Sequence, residues 1–231
     1  MSSGQYAHEF LFGLYPYICL TVFLLGSLIR FDREQYTWKS DSSQLLRRGQ
    51  LRWGSNLFHL GILGIFFGHL FGLLTPLAVW HALGVSAQAK QGLAVVAGGA
   101  AGLACLAGLL LLIHRRLSEP RIRVNTRPAD LLVLFLLLAQ LLLGLASIFV
   151  SLQHMDGAEM IKLMSWAQHI VTLRGGAADF VQGVALVFKL HLVLGMTIFL
   201  VFPFSRLVHV WSGFGALAYV VRAYQIVRQR G

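Results

Sequence analysis

Five runs of this sequence are too long and too apolar to sit in the core of a soluble domain: residues 10–29, 57–79, 92–113, 131–152 and 184–211. A helix needs about 20 apolar residues to cross the hydrocarbon of a bilayer. Lipid offers no partner to backbone N–H and C=O groups, so a crossing run must satisfy them within itself, as a helix does. The expected fold is therefore all-α: one integral membrane domain, residues 1–231, built as a bundle of five transmembrane helices. The composition agrees. The chain is 57% hydrophobic and only 12% charged, where a soluble domain carries about 25% charged residues. Its mean hydropathy is +0.70. The opening residues MSSGQYAHE contain no Lys or Arg, so the first run reads as a retained anchor and not as a cleavable signal peptide.

The formal charge of +10 would suit nucleic acid if it formed one patch, but it does not. Six Lys or Arg residues lie between Arg30 and Arg52, five between Arg115 and Arg127, and four from Arg206 to the end. The connections on the opposite side hold only Lys90, Lys162, Arg174 and Lys189. Fifteen against four is the asymmetry of the positive-inside rule. It predicts the N-terminus outside, the C-terminus in the cytoplasm, and no nucleic-acid partner; the surrounding partner is membrane lipid.

The connections carry fewer signals. Residues 30–53 are polar, include Tyr36 and Trp38, and suit either a docking surface for a soluble partner or an interfacial aromatic anchor. The connection 80–91 follows Thr75-Pro76, a pair that ends helices. In 153–183 the apolar residues recur at helical spacing, which predicts a short helix on the membrane surface, capped by Gly175-Gly176, as a lid or as one wall of a site. Cys19 and Cys105 fall inside apolar runs without metal-ligand spacing and read as packing residues.

The chemistry lies in the histidines. Five of the nine, His8, His81, His114, His154 and His169, fall in or beside aqueous connections. The other four, His59, His69, His191 and His209, fall inside the second and fifth runs. An unpaired imidazole in hydrocarbon costs several kcal/mol. No intramembrane carboxylate stands beside these four, which weakens a proton relay. The second and fifth helices run in opposite directions, so His59 pairs in depth with His209, and His69 with His191. Two bis-histidine sites at two depths are the coordination of two b-type haems.

Spacing alone leaves a mismatch. His59 and His69 are ten residues apart, about 15 Å of rise on an ideal helix, whereas the eighteen residues from His191 to His209 give about 27 Å. Helix tilt or a kink at Pro203 would have to absorb the difference. Gly61, Gly64, Gly68, Gly72 and Gly195 admit either a flat macrocycle or a closely packed neighbour helix.

The segments SNLFHLGILGIFFGHLFGLLTP, AGGAAG, HRRLSEPRIR, QHMDGAEMIKLMSWAQ and LHLVLGMTIFLVFPFSRLVHVWS closely resemble the gamma subunit of respiratory nitrate reductase, over nearly the whole chain. The resemblance implies a five-helix, di-haem cytochrome b of a prokaryotic cytoplasmic membrane that oxidises quinol, either menaquinol or ubiquinol. It assigns His59 and His209 to the haem nearer the cytoplasm, and His69 and His191 to the outer haem. It places the quinol site beside the outer haem, with Lys90 and Gly68 at that site. Gly92 stands where the family would supply a second basic residue. On the residues alone, Lys90 reads as a snorkelling lysine just outside the third run. Arg115 and Arg116 suit haem propionates or positive-inside placement equally.

The resemblance further implies an iron–sulfur beta subunit that takes the electrons on the cytoplasmic side, and a molybdenum-containing alpha subunit that reduces nitrate. The partner surface would comprise 30–53, 115–127 and the C-terminal tail. Two other readings are open: the same di-haem scaffold in a heterodisulfide- or sulfur-type complex, and a haem-free anchor or transporter whose histidines only tie helices together.

Overall fold

The computed structural model describes residues 2–34, 48–124 and 126–212. It is helical, with no strand among the described residues. Five helices are long and apolar enough to cross a membrane, in the order the hydropathy predicts.

The first, α1 (Ser3–Arg33), widens into a π-helical turn over Phe10–Leu14. Pro16 is the cause: it has no N–H to return to Phe12 and its ring would strike that carbonyl. The second, α2 (Arg48–Leu74), is longer at its start than the hydropathy run. It stops at Thr75-Pro76, after which a separate short helix, α3 (Leu77–Ala82), begins. The third long helix, α4 (Ala87–Ser118), starts at Ser86, whose hydroxyl accepts from the Ala89 N–H at 3.1 Å. A short α5 (Pro120–Val124) leads to α6 (Pro128–Gln153), which opens on Pro128 with Asp130 accepting from the Arg127 N–H.

Helix α7 (Ala158–Val171) is the short helix expected in 153–183, with its apolar face turned into the protein. Met160, Met164, Trp166, Ala167 and Ile170 are all buried. Trp166, Ala167 and Ile170 pack with Phe12 of α1 and with a 3-10 turn at Ala177–Val181. The Trp166 indole N–H donates to the Phe12 carbonyl at 2.9 Å, so the helix is pinned into the bundle end. Gly175-Gly176 does not cap it. The helix ends at Thr172, Leu173 takes the left-handed backbone (φ 57°), and Gly176 (φ 75°) instead starts the 3-10 turn.

The last long helix, α8 (Leu186–Val201), ends ten residues before the expected boundary. Two 3-10 turns follow, Phe202–Phe204 and Arg206–Val208, separated by an extended Ser205 (φ −121°, ψ 178°). The Ser205 hydroxyl caps the second turn by accepting from the Leu207 N–H.

The helices pack in the order α2, α4, α6, α8, α1, each against the next. The α2–α4 contact is the most extensive, because glycines remove the side chains between them. A Cβ on Gly61 would meet the Cys105 backbone N at 2.5 Å, and one on Gly108 would meet the Gly54 carbonyl at 2.7 Å. Cys19 and Cys105 are buried free thiols, as packing residues would be. Among the described residues, α2 and α8 share no extensive backbone contact, so a cleft separates them.

Candidate functional site

All four intramembrane histidines point into that cleft in pairs. The His59 and His209 ring centroids are 6.2 Å apart, and those of His69 and His191 are 6.1 Å apart. The pairing is the one antiparallel packing dictates. The break after α8 resolves the spacing mismatch. From His191 to Val201 is ten residues, the same rise of about 15 Å that separates His59 from His69. The residues after Val201 therefore run across the bundle and not along it, which brings His209 level with His59.

That crossing segment is held from two sides. Arg30 of α1 donates to the carbonyls of Pro203 and Ser205 at 2.6 and 2.7 Å. Gly26, one helical turn earlier, lets Pro203 approach: a Cβ there would come within 2.9 Å of the proline ring. On the other side Asp130 binds the Arg206 guanidinium at 2.7 Å and Arg116 at 3.2 Å. The Asp130 side chain is nearly buried between them.

Three of the rings share one arrangement. His59 Nδ1 donates to the Ser55 carbonyl at 2.7 Å, His69 Nδ1 to that of Ile65 at 2.8 Å, and His209 Nδ1 to that of Arg206 at 2.6 Å. A carbonyl only accepts, so the proton sits on Nδ1 and the Nε2 lone pair is bare, which is the tautomer a metal requires. His191 differs. Its Nε2 lies 3.3 Å from the amide nitrogen of Gln140 on α6, and its Nδ1 is buried without a partner. Gly144, one turn from Gln140, makes room for the ring: a Cβ there would come 3.0 Å from His191 Cε1.

The separations test the haem reading directly. Two imidazoles on opposite faces of one metal ion, with metal–nitrogen bonds of about 2 Å and about 1.1 Å more from each nitrogen to its ring centre, stand about 6 Å apart. Both pairs meet that distance. They are too far apart to hydrogen-bond to each other directly, which argues against histidines that merely tie helices together. His59 and His69 are exposed, and hydrocarbon alone would leave their lone pairs unpaired. The residues fit two bis-histidine haems.

Lys90 is not the snorkelling lysine that the residues alone suggest. It lies in the first turn of α4, is only 4% exposed, and does not snorkel. Its ammonium donates to the Gly72 carbonyl at 2.7 Å and contacts the sulfurs of Met160 and Met164 at 3.4 and 3.0 Å. The Trp80 ring is 5.4 Å away. Gly72 is less than one turn beyond His69 on α2, so the ammonium and the His69/His191 pair share one end of the cleft. A Cβ on Gly68 or Gly72 would meet nothing within 4 Å, whereas Gly61 and Gly64 face α4. The glycines thus divide: Gly61 and Gly64 serve packing, Gly195 adjoins the Gln140 amide, and Gly68 and Gly72 face open space.

The comparisons with known proteins show the family. The family model described as nitrate reductase gamma subunit matches residues 8–230. The chain is 54% identical over 226 residues to the respiratory nitrate reductase 1 gamma chain of Escherichia coli (strain K12), covering 98% of this chain and 99% of that one. It is 55% identical over 229 residues to the respiratory nitrate reductase 2 gamma chain of the same organism, with the same coverage. It is 39% identical over 222 residues to the nitrate reductase gamma chain of Bacillus subtilis (strain 168), covering 96% and 98%.

The chain belongs to the nitrate reductase gamma-subunit family. It is accordingly a multi-pass membrane subunit of an oxidoreductase. Of the expected partner surface, residues 35–47, with Tyr36 and Trp38, lie outside the described residues, as does the tail from 213. Arg116 is taken up by Asp130, and Arg115 is buried, 5% exposed.

Sequence reasoning missed three members of the site in this gamma-family chain. Gln140 is a polar residue amid LLVLFLLLAQLLLG, and a polar group in hydrocarbon marks a site in the same way as the histidines do. Arg30 and Asp130 carried no comparable signal, because charged residues at helix ends are ordinary.

Proposed function

We propose that this gamma-family chain is the quinol-oxidising, di-haem cytochrome b subunit of a respiratory nitrate reductase in the cytoplasmic membrane of a prokaryote. The carrying observation is the pair of histidine pairs at 6.2 and 6.1 Å across the α2–α8 cleft. His59 and His209 hold one b-type haem, and His69 and His191 the other. Bound there, the haems supply reversible one-electron chemistry at two depths of the membrane. The N-terminus and the His69/His191 end face outward, and the His59/His209 end faces the cytoplasm, as the fifteen-to-four charge asymmetry requires. The electron-accepting partner is an iron–sulfur beta subunit on the cytoplasmic side, and a molybdenum-containing alpha subunit reduces nitrate.

The residues of this chain have distinct tasks in that reaction. The helix carbonyls behind His59, His69 and His209 fix the imidazole tautomer and aim Nε2 into the cleft. Lys90 holds an ammonium in an apolar setting with one strong acceptor, Gly72, and two weak ones, the methionine sulfurs. A quinol oxygen is a better partner than either sulfur. Lys90 orients the quinol head group by donating to that oxygen, beside the open space at Gly68 and Gly72. Met160 and Met164 keep water from the ammonium, and the substrate's protons leave toward the outer end.

The test is a purified complex. Reduced-minus-oxidised spectra with haem quantitation should give two b-type haems per gamma chain, both reducible by a quinol analogue. Lys90→Ala should keep both haems and slow their reduction by quinol at least tenfold, with reduction by dithionite unchanged. A colourless intact preparation, or quinol reduction unaffected by Lys90→Ala, would contradict the reading in its haem or its quinol part respectively.

A further inference from the structure

Helix α6 contributes no ligand, yet it carries a polar residue, Gln140, in the middle of an apolar run. Two buried groups near it are unsatisfied, and they are chemically complementary. His191 Nδ1 is one and Gln140 Oε1 is the other. The two residues already touch, through Gln140 Nε2 and His191 Nε2 at 3.3 Å. The backbone is shaped around them. A Cβ on Gly144 would press on the imidazole at 3.0 Å, and a Cβ on Gly195 would press on the Gln140 amide at 3.1 Å.

His191 is also the only one of the four whose Nδ1 is not fixed by a carbonyl of its own helix turn. Turning the imidazole so that Nδ1–H donates to Gln140 Oε1 satisfies both orphans at once. The same turn removes Nε2 from the amide and frees its lone pair for a metal.

We propose that Gln140 is the positioning residue of His191: its side-chain carbonyl accepts the Nδ1 proton, fixes the ring's tautomer and plane, and tunes the haem held by His69 and His191. This rests on the haem-ligand reading above. The amide takes the place that a backbone carbonyl occupies behind His59, His69 and His209. An acceptor on Nδ1–H pushes electron density onto Nε2, which stabilises the ferric over the ferrous iron. The residue thus lowers the potential of one haem and leaves the other alone.

The experiment is a spectroscopically monitored redox titration of the intact complex carrying Gln140→Leu or Gln140→Glu, each also in a His59→Ala background that isolates the outer haem. Gln140→Leu should raise the midpoint of the His69/His191 haem and shift its low-spin electron paramagnetic resonance, because the ring plane is no longer held. The His59/His209 haem should stay at its wild-type midpoint. Gln140→Glu, which keeps an acceptor, should leave the midpoint at or below wild type. Unchanged midpoints in Gln140→Leu would overturn the proposal, as would equal upward shifts in both variants or a shift confined to the other haem. Absence of haem from the wild-type complex would instead sink the haem-ligand reading itself.

Discussion

The two ends of the α2–α8 cleft bring a pair of imidazoles to nearly the same separation by different means. At the His69/His191 end both rings sit on regular helices, and neighbours on α4, α6 and α7 furnish polar and sulfur-bearing side chains: Gln140, Lys90, Met160 and Met164. At the His59/His209 end one ring rides on a broken segment, two 3-10 turns joined by an extended Ser205. There charged side chains act on backbone and loop, with Arg30 gripping two carbonyls and Asp130 gripping Arg206. One site is tuned through its side-chain surroundings and the other is fixed through its backbone. The two should therefore fail separately.

The largest expected effect erases the comparison altogether. Gly61→Leu drives a side chain into the Ala101 and Cys105 backbone of α4. Backbone cannot step aside as a flexible side chain can, so the penalty should exceed the usual 1–3 kcal/mol of overpacking, about 3 kcal/mol or more. Purified yield and both haems should fall together. Loss of only one haem would mean that the α2–α4 packing supports the ends independently.

Asp130→Ala sharpens the contrast. It leaves Arg116 and Arg206 facing each other without their shared carboxylate. The side chains are partly screened, so the expected loss is about 1–3 kcal/mol, between that of an exposed and that of a buried pair. The effect should fall on the crossing segment: the His59/His209 haem is bound weakly or lost while the other keeps its spectrum. Equal damage to both would refute the division between the ends.

Tyr15→Phe should have the smallest effect. It removes the hydrogen bond of 2.8 Å to the Thr197 hydroxyl between α1 and α8. A loss of about 1 kcal/mol should appear as a small drop in thermal midpoint, with both haem spectra unchanged. A changed spectrum would show that α1 and α8 transmit strain into the cleft.

Much of this was legible in the residues. The five helices follow from hydropathy, because lipid leaves the backbone no alternative. The histidine pairing follows from the opposed directions of the second and fifth helices. What the residues concealed depends on which neighbour a face meets. The eighteen-residue gap between His191 and His209 assumes a straight helix, and only the break at Phe202–Phe204 reconciles it. Lys90 reads as a snorkelling lysine because nothing local reveals that Met160 and Met164, some seventy residues on, close over it. The end of α7 was equally hidden: the left-handed turn that closes it falls on Leu173, with the Arg174 N–H returning to the His169 carbonyl at 2.9 Å, where a glycine would be the usual choice.

The most direct measurement is haem loss in the four single variants His59→Ala, His209→Ala, His69→Ala and His191→Ala, each purified as the intact complex and read by low-temperature difference spectra with haem quantitation. The account predicts two matched sets: the first two variants lack the same haem, the last two lack the other, and each retains one haem per chain. A variant pair such as His59→Ala and His209→Ala losing different haems, or all four retaining both, would contradict it.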